Sequence, residues 1–107
     1  MSTGISIVYI SCPAPAAQTL ANALVESNLA ACVTLLPGAR SVYRWQGKVH
    51  NDEETLLLAK TRTERVGALC ERVVADHPYE VPEVIAVELA QGHAPYLDWV
   101  ASETDAD

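Results

Sequence analysis

Apolar and polar positions along the chain predict strands and helices in alternation. The run ISIVYI at positions 5–10 is β-branched and almost entirely apolar, which is typical of a central strand. Pro13 and Pro15 end this strand, and Pro15 is compatible with the first turn of a helix. That helix is expected to stop at Asn28. Its apolar face, at three-to-four spacing, comprises Ala17, Leu20, Ala21, Leu24 and Val25.

The segment LAACVTLLPGARSVYRWQ, positions 29–46, predicts a second strand that bends in its middle. A central proline cannot donate to a strand ladder and glycine tolerates a bulge, so we expect the bend at Pro37 and Gly38. Beyond the bend, the period of two places Ser41, Tyr43 and Trp45 on one face.

A hairpin turn follows at Gly47, which we expect to share the turn with Gln46 and Lys48. The returning strand is predicted over about residues 49–60. A dozen residues in a strand span roughly 40 Å, which exceeds the reach of a small domain. The hairpin is therefore expected to overhang.

A second helix is predicted from the spacing of Thr61 and Glu64, which matches a capping box, to a stop near Asp76. Its buried stripe comprises Val66, Leu69, Cys70, Val73 and Val74. The link HPYEVP is expected to be extended and rigid, because each proline restricts the residue before it.

The remaining elements are a strand, EVIAVELA, and a short helix, HAPYLDWVAS, anchored by Tyr96, Trp99 and Val100. Residues from about 102 onward are expected to fray. The order β-α-β-β-α-β plus a helix predicts a ferredoxin-like fold of the α+β class, and 107 residues suit a single domain over 1–107. In this fold Cys12, Lys48 and the HPYEVP link lie at one pole.

Charge narrows the class of partner. The net charge of −7 disfavours nucleic acids and anionic membranes, which clustered Lys and Arg would bind. All seven basic residues lie between Arg40 and Arg72, whereas the chain from Val73 onward carries only acidic charges. The basic middle is therefore expected to engage acidic surfaces, including those of other copies.

The cellular compartment is predicted from the cysteines and from the absence of signal-peptide and membrane-span patterns. A signal peptide would need Lys or Arg ahead of its apolar segment, and the first ten residues contain neither. No apolar run reaches the roughly 18 residues of a membrane span. Cys12, Cys32 and Cys70 are odd in number and widely spaced, which indicates free thiols in a reducing cytoplasm.

Several activities known for this fold fail on specific residues. An RNA-recognition domain is disfavoured because the third strand carries no aromatic residue to stack on bases. The loop after the first strand lacks the CxxC pair of a heavy-metal chaperone and the Arg of an acylphosphatase-like enzyme. A ferredoxin is disfavoured because no cysteine cluster could hold iron and sulfur. Ser11 or Cys12 with His77 could form a nucleophile and base, but no third group orients them. We expect no enzyme activity.

A metal site at the same pole is a more specific possibility than a nucleophile and base. Cys12 precedes a helix N-terminus, where the dipole favours a thiolate, and with His77 it offers ligands suited to Cu(I) or Zn. Two ligands leave such a site open, to be completed by Asp76, Ser11 or another chain. The alternative, which the residues alone favour, is a buried cysteine and a histidine in a structural link.

Four segments together resemble one family, the CutA divalent-cation tolerance proteins. They are CPAP, AACVTLLPGARSVYRWQGKVHNDEETLLLAKT, HPYEVPEVIAV and YLDW, and they span nearly the whole chain. The resemblance implies a tight homotrimer that pairs long hairpins and sheet edges, a fold similar to PII signalling proteins, a link to copper and other divalent metals, and no established catalysis. It also implies a copper site of one Cys and two adjacent His, of which Cys12 and His77 are present and Asp76 replaces the other.

Two functions follow as hypotheses. The first is a trimer that binds or responds to divalent metal such as copper, with Cys12, His77 and Asp76 as ligands and no required cofactor. The second is a PII-like module that binds a small molecule or a protein in intersubunit clefts. The residues expected to line those clefts are Tyr43, Trp45, Lys60, Tyr79, Glu80 and Glu83. A scaffold without ligand is a third reading.

Overall fold

The computed structural model describes residues 2–105, and its secondary structure follows the predicted order. The strands are β1 (Ile5–Cys12), β2 (Cys32–Trp45), β3 (Lys48–Arg62) and β4 (Val84–Glu88). The helices are α1 (Ala14–Glu26), α2 (Val66–Asp76) and α3 (Ala94–Glu103). In this range no helix is both long and apolar enough to cross a membrane.

Within the described chain the strands form one antiparallel sheet in the order β2-β3-β1-β4. The two central strands, β1 and β3, come from distant parts of the sequence, as the split β-α-β arrangement requires. The predicted α+β, ferredoxin-like fold is therefore confirmed.

The two faces of the sheet are covered differently. Helices α1 and α2 pack on one face, where Val8, Ile10 and Leu57 are completely buried. On the other face α3 lies near one end, where the Arg62 guanidinium Nε donates to the Ala101 carbonyl at 2.8 Å. The rest of that second face, which we call the open face, exposes apolar side chains such as Ile85.

The hairpin bends and overhangs as predicted. The pairing register of β2 and β3 shifts between Leu36 and Ala39, and Gly38 has a φ of 82°, which glycine adopts without strain. Cys12 is the last residue of β1 and pairs with Thr55, so residues 48–54 of β3 extend past the rest of the sheet. The molecule is accordingly elongated, at 44 × 27 × 22 Å.

The hairpin turn is tighter than predicted. Gln46 and Gly47 both have positive φ, 51° and 79°, as a two-residue turn of the primed type requires. Lys48 already pairs with Trp45 and belongs to β3, so its predicted place in the turn is wrong.

The predicted capping box is also wrong. Thr61 lies inside β3, paired with Ser6 of β1, and the chain then makes a 3₁₀ turn over Thr63–Arg65 before α2 begins. No side chain caps α2. β3 continues to Arg62 because β1 offers it a partner as far as Ile5, which the local spacing could not reveal.

The last described helix is tied to the rest of the molecule by side-chain hydrogen bonds. Helix α3 continues to Glu103, whose carbonyl accepts a hydrogen bond from the Asn28 side chain at 3.1 Å. Thr104 is fully buried and its hydroxyl donates to the Val100 carbonyl. These contacts satisfy the end of α3 as far as Thr104, whereas fraying from about 102 stays a prediction, and its positions 106–107 lie outside the described residues.

Candidate functional site

A cleft of about 450 Å³ opens between the overhanging hairpin and the link that follows α2. We call it the hairpin cleft. The hairpin contributes Ser41, Tyr43, Trp45 and Glu54, the link contributes Pro78, Tyr79, Glu80, Val81 and Glu83, and β1 contributes Ser11. Five of the six residues predicted for a ligand cleft are thus brought together within one chain.

The link is fixed to the sheet through His77. The Tyr79 backbone N–H donates to His77 Nδ1 at 3.0 Å, so the ring carries its proton on Nε2 and donates it to the Ser11 carbonyl at 2.8 Å. The ring is nearly buried and lies 4.8 Å, between centroids, from the Tyr79 ring. Both nitrogens are therefore used in holding Tyr79 at the cleft.

Tyr79 closes the cleft onto the hairpin. Its phenol donates to Glu54 Oε2 at 3.0 Å, and Glu54 is only 4% exposed although it is a carboxylate. Burial and the Glu54 hydrogen bond raise the pKa of Tyr79 to about 12. The phenol therefore stays protonated, and remains a donor, into the alkaline range where an ordinary tyrosine ionises.

The wall formed by the hairpin is ordered by a second tyrosine. The Tyr43 hydroxyl donates to the carboxylate of Asp52, and its ring stacks on His50 with centroids 5.3 Å apart. The hydrogen bond to Asp52, with burial and the nearby negative charges, raises the pKa of the Tyr43 phenol. Tyr43 and Trp45 thus both present aromatic surface to the cleft, and Tyr43 is held in place by its stacking on His50.

The charge of the cleft is entirely negative. Glu54, Glu80 and Glu83 line it, and Ser11 donates to Glu83 at 3.4 Å. Among the lining residues of the described chain there is no Lys or Arg. The cleft combines aromatic walls with carboxylates at its base and rim, which suits a positively charged ligand better than an anion.

Lys60 is the one predicted cleft residue that lies elsewhere in the single chain. It stands six residues along β3 from Glu54, roughly 20 Å away. Its ammonium donates to Thr34 Oγ1 at 2.6 Å and lies 3.8 Å from Cys32 Sγ. Lys60 lies on the same face of β3 as Glu54 by the period of two but outside the cleft of a single chain, and its place in an intersubunit cleft stays a prediction.

Cys12 has the buried environment that the residues alone favour, and not the accessible one that a metal site needs. Its side chain points into the core rather than toward the start of α1, and Sγ donates weakly to the Thr55 carbonyl at 3.8 Å. Burial, with a smaller effect from Glu54, raises the pKa of the thiol. The expectation that the helix dipole favours a thiolate here is therefore wrong.

The other predicted metal ligands are engaged as well. Asp76 accepts a hydrogen bond from Arg72 Nε at 2.7 Å, and both His77 nitrogens are occupied. Across residues 2–105 no group of three or more His, Cys, Asp or Glu side chains could hold a metal ion. A site of Cys12, His77 and Asp76 stays a prediction, and these contacts argue against it within a single chain.

Glu54 is the residue that the sequence interpretation missed. The pattern NDEE at 51–54 is typical of a solvated or intersubunit charged patch and does not by itself indicate that Glu54 is buried. The period of two does place Glu54 on the same face as Leu56 and Leu58. Its burial, however, depends on Tyr79, which arrives from 25 residues later in the chain.

Comparison with known proteins places the chain in a family. The family model for "CutA1 divalent ion tolerance protein" matches residues 6–103. The divalent-cation tolerance protein CutA of Thermus thermophilus is 52% identical over 99 residues, covering 92% of this chain and 96% of that protein.

Solved structures agree with this match. CutA of Xylella fastidiosa is 45% identical with a TM-score of 0.92, covering 95% of this chain and 99% of that one. A protein described as "PII-like protein CutA", from Nostoc sp. PCC 7120, is 33% identical with a TM-score of 0.89, covering 94% of this chain and 97% of that one. The chain belongs to the CutA1 divalent ion tolerance family.

Proposed function

We propose that this protein acts in divalent-cation tolerance as a homotrimer that binds an effector in its hairpin clefts. The observation that carries the effector role is the hairpin cleft, where aromatic side chains and the buried Glu54 carboxylate converge beside an open volume of about 450 Å³. Such a pocket, apolar with a few convergent polar groups, is the usual form of a small-molecule site.

The trimer is supported by surfaces that a lone chain leaves uncovered. Leu36, Ile85 and Val87 on the open face are 46%, 56% and 52% exposed. The overhanging part of the hairpin has only two strands, an arrangement that is marginal in isolation. A closed threefold assembly would cover both features without forming a filament, because each strand edge meets another copy.

A binding role is supported over a catalytic one by His77. A general base must have a free ring nitrogen within reach of its nucleophile. His77 donates through Nε2 to the Ser11 carbonyl and accepts through Nδ1 from Tyr79, so it cannot activate Ser11 or Cys12 in this arrangement. The protein is proposed to sense or carry its effector in the cytoplasm, where its three free cysteines would remain reduced.

Light scattering tests the assembly. At micromolar concentration the protein should have three times the mass of its 11.5 kDa chain. A Leu36→Glu variant, which introduces a charge on the open face, should lower that mass. Val25→Glu should not, because Val25, although predicted on the apolar face of α1, is 40% exposed. A wild-type monomer would refute the trimer.

Direct metal binding is the second candidate. It is supported by one contact: the His77 ring donates to the carbonyl of Ser11, the residue before Cys12, so the chain at Cys12 passes close to His77. Titration with Cu(I), Cu(II) and Zn(II) tests it, with Cys12→Ala as the variant and Cys70→Ala as the control. Loss of binding only in Cys12→Ala supports the site; equal weak binding in both variants and the wild type rejects it.

A further inference from the structure

The Glu54 carboxylate is buried without a balancing cation. It is 4% exposed, it accepts a hydrogen bond from the Tyr79 phenol, and none of the described residues lining the cleft with it is basic. A buried carboxylate is costly unless it is paired, and one neutral donor compensates only part of the lost hydration. A positively charged group beside Glu54 would therefore offset the cost of burying its carboxylate.

The side chains around that carboxylate are aromatic. Tyr43, Trp45 and Tyr79 line the same cleft, and each keeps more than a third of its surface exposed. The faces of such rings attract ammonium and guanidinium groups, and most strongly where water is excluded. Aromatic walls around a carboxylate form an established type of receptor for organic cations.

We propose that the hairpin cleft binds an ammonium or guanidinium group, with Glu54 as its counter-ion and with Tyr79 and Trp45 as the aromatic surfaces against which it lies. The inference rests on the proposed effector role of the cleft and specifies the ligand's chemistry. Glu80 and Glu83 at the rim add attraction for a second positive charge on the same molecule.

Two other ligand classes fit less well. An anionic effector such as a nucleoside phosphate would meet three glutamates and no basic side chain among the described lining residues. A bare metal ion needs converging ligands, yet no group of three candidate side chains exists in residues 2–105. The volume of about 450 Å³ instead matches an organic molecule.

The same chemical group could come from a free small molecule or from another copy of the chain. The hairpin itself carries Arg40, Arg44 and Lys48, and a trimer that pairs its hairpins would offer these side chains to a neighbouring copy. The experiment therefore has one arm for each source.

In the first arm Trp45 fluorescence is followed during titration with agmatine and spermidine, in a protein of residues 1–107 that carries Trp99→Phe so that Trp45 is its only tryptophan. We expect saturable binding that choline reproduces more weakly and that inorganic phosphate does not. Glu54→Gln should weaken agmatine binding by roughly 30-fold or more, because it removes a buried charge partner. Glu53→Gln is the matched control, since Glu53 is exposed, pairs with Arg40 at 3.9 Å and does not line the cleft.

In the second arm Arg40, Arg44 and Lys48 are replaced by Gln one at a time. If a neighbouring side chain fills the cleft, the wild type will not bind agmatine but one of these variants will. Adding Glu54→Gln to that variant will abolish the binding. This result supports the site and assigns the native positive charge to the neighbouring copy. Absence of binding in every variant, or binding unchanged by Glu54→Gln in correctly folded protein, overturns the proposal. Light scattering on the same samples separates this failure from failure of the trimer.

Discussion

The Tyr79 phenol donates to the Glu54 carboxylate at 3.0 Å and so connects the link after α2 to the overhanging hairpin. The two residues are 25 positions apart in sequence, and each is held by other contacts. His77 fixes Tyr79 from one side, and the β3 ladder fixes Glu54 from the other. The hydrogen bond therefore defines the hairpin cleft.

Removing this hydrogen bond should destabilise the protein. Tyr79→Phe keeps the ring but leaves the buried Glu54 oxygen without its donor, and we expect a loss of about 1 to 2 kcal/mol in the free energy of unfolding. Tyr43→Phe is the control, because its partner Asp52 can be solvated, and it should cost less. Urea denaturation measures both; equal losses would contradict the buried role of Glu54.

Alkaline pH should act through the same tyrosine. The folded pKa of Tyr79, about 12, is raised above the ordinary value of 10.0, so the fold favours the protonated phenol. The stability that this contributes is complete below pH 10 and is lost as the pH rises toward about 12. A pH titration of tyrosinate absorbance should show a transition near pH 12 that is absent in Tyr79→Phe. If every tyrosine instead ionised near pH 10, the described environment of Tyr79 would be contradicted.

Thiol reactivity should follow burial. Burial raises the pKa of Cys12 and of Cys70, and Cys12 is in addition fully enclosed in the core. Iodoacetamide at mildly alkaline pH should therefore modify Cys12 only as fast as the protein opens. Peptide mass spectrometry over time measures this. Rapid modification of Cys12 in the folded protein would instead favour the accessible thiolate that a metal site needs.

Two glycines should respond oppositely to alanine. Gly47 in the hairpin turn has a φ of 79°, so Gly47→Ala should destabilise by about 1 to 2 kcal/mol. Gly67 lies in α2 with open space around an added Cβ, so Gly67→Ala should stabilise by about 0.5 to 1 kcal/mol. Thermal unfolding at one fixed protein concentration compares them, because assembly makes the midpoint concentration-dependent. A shift of the same sign in both variants would contradict the backbone geometry.

The local pattern predicted the parts of the site that depend on one element. The bend at Pro37 and Gly38 and the common face of Tyr43 and Trp45 follow from proline chemistry and the period of two, and both are confirmed. The capping box predicted at Thr61 is wrong because its spacing can also occur inside a strand whose partner is distant in sequence.

By itself the sequence determined the order of the elements, the overhanging hairpin and the excess of acid, because these depend on periodicity, turn residues and composition. Only the tertiary structure decided which side chains meet. It buried Glu54 beneath Tyr79, turned Cys12 into the core, occupied both nitrogens of His77 and left Lys60 at the far end of β3. Register and the path of the link set these distances, and both arise from contacts between residues that are far apart in the chain.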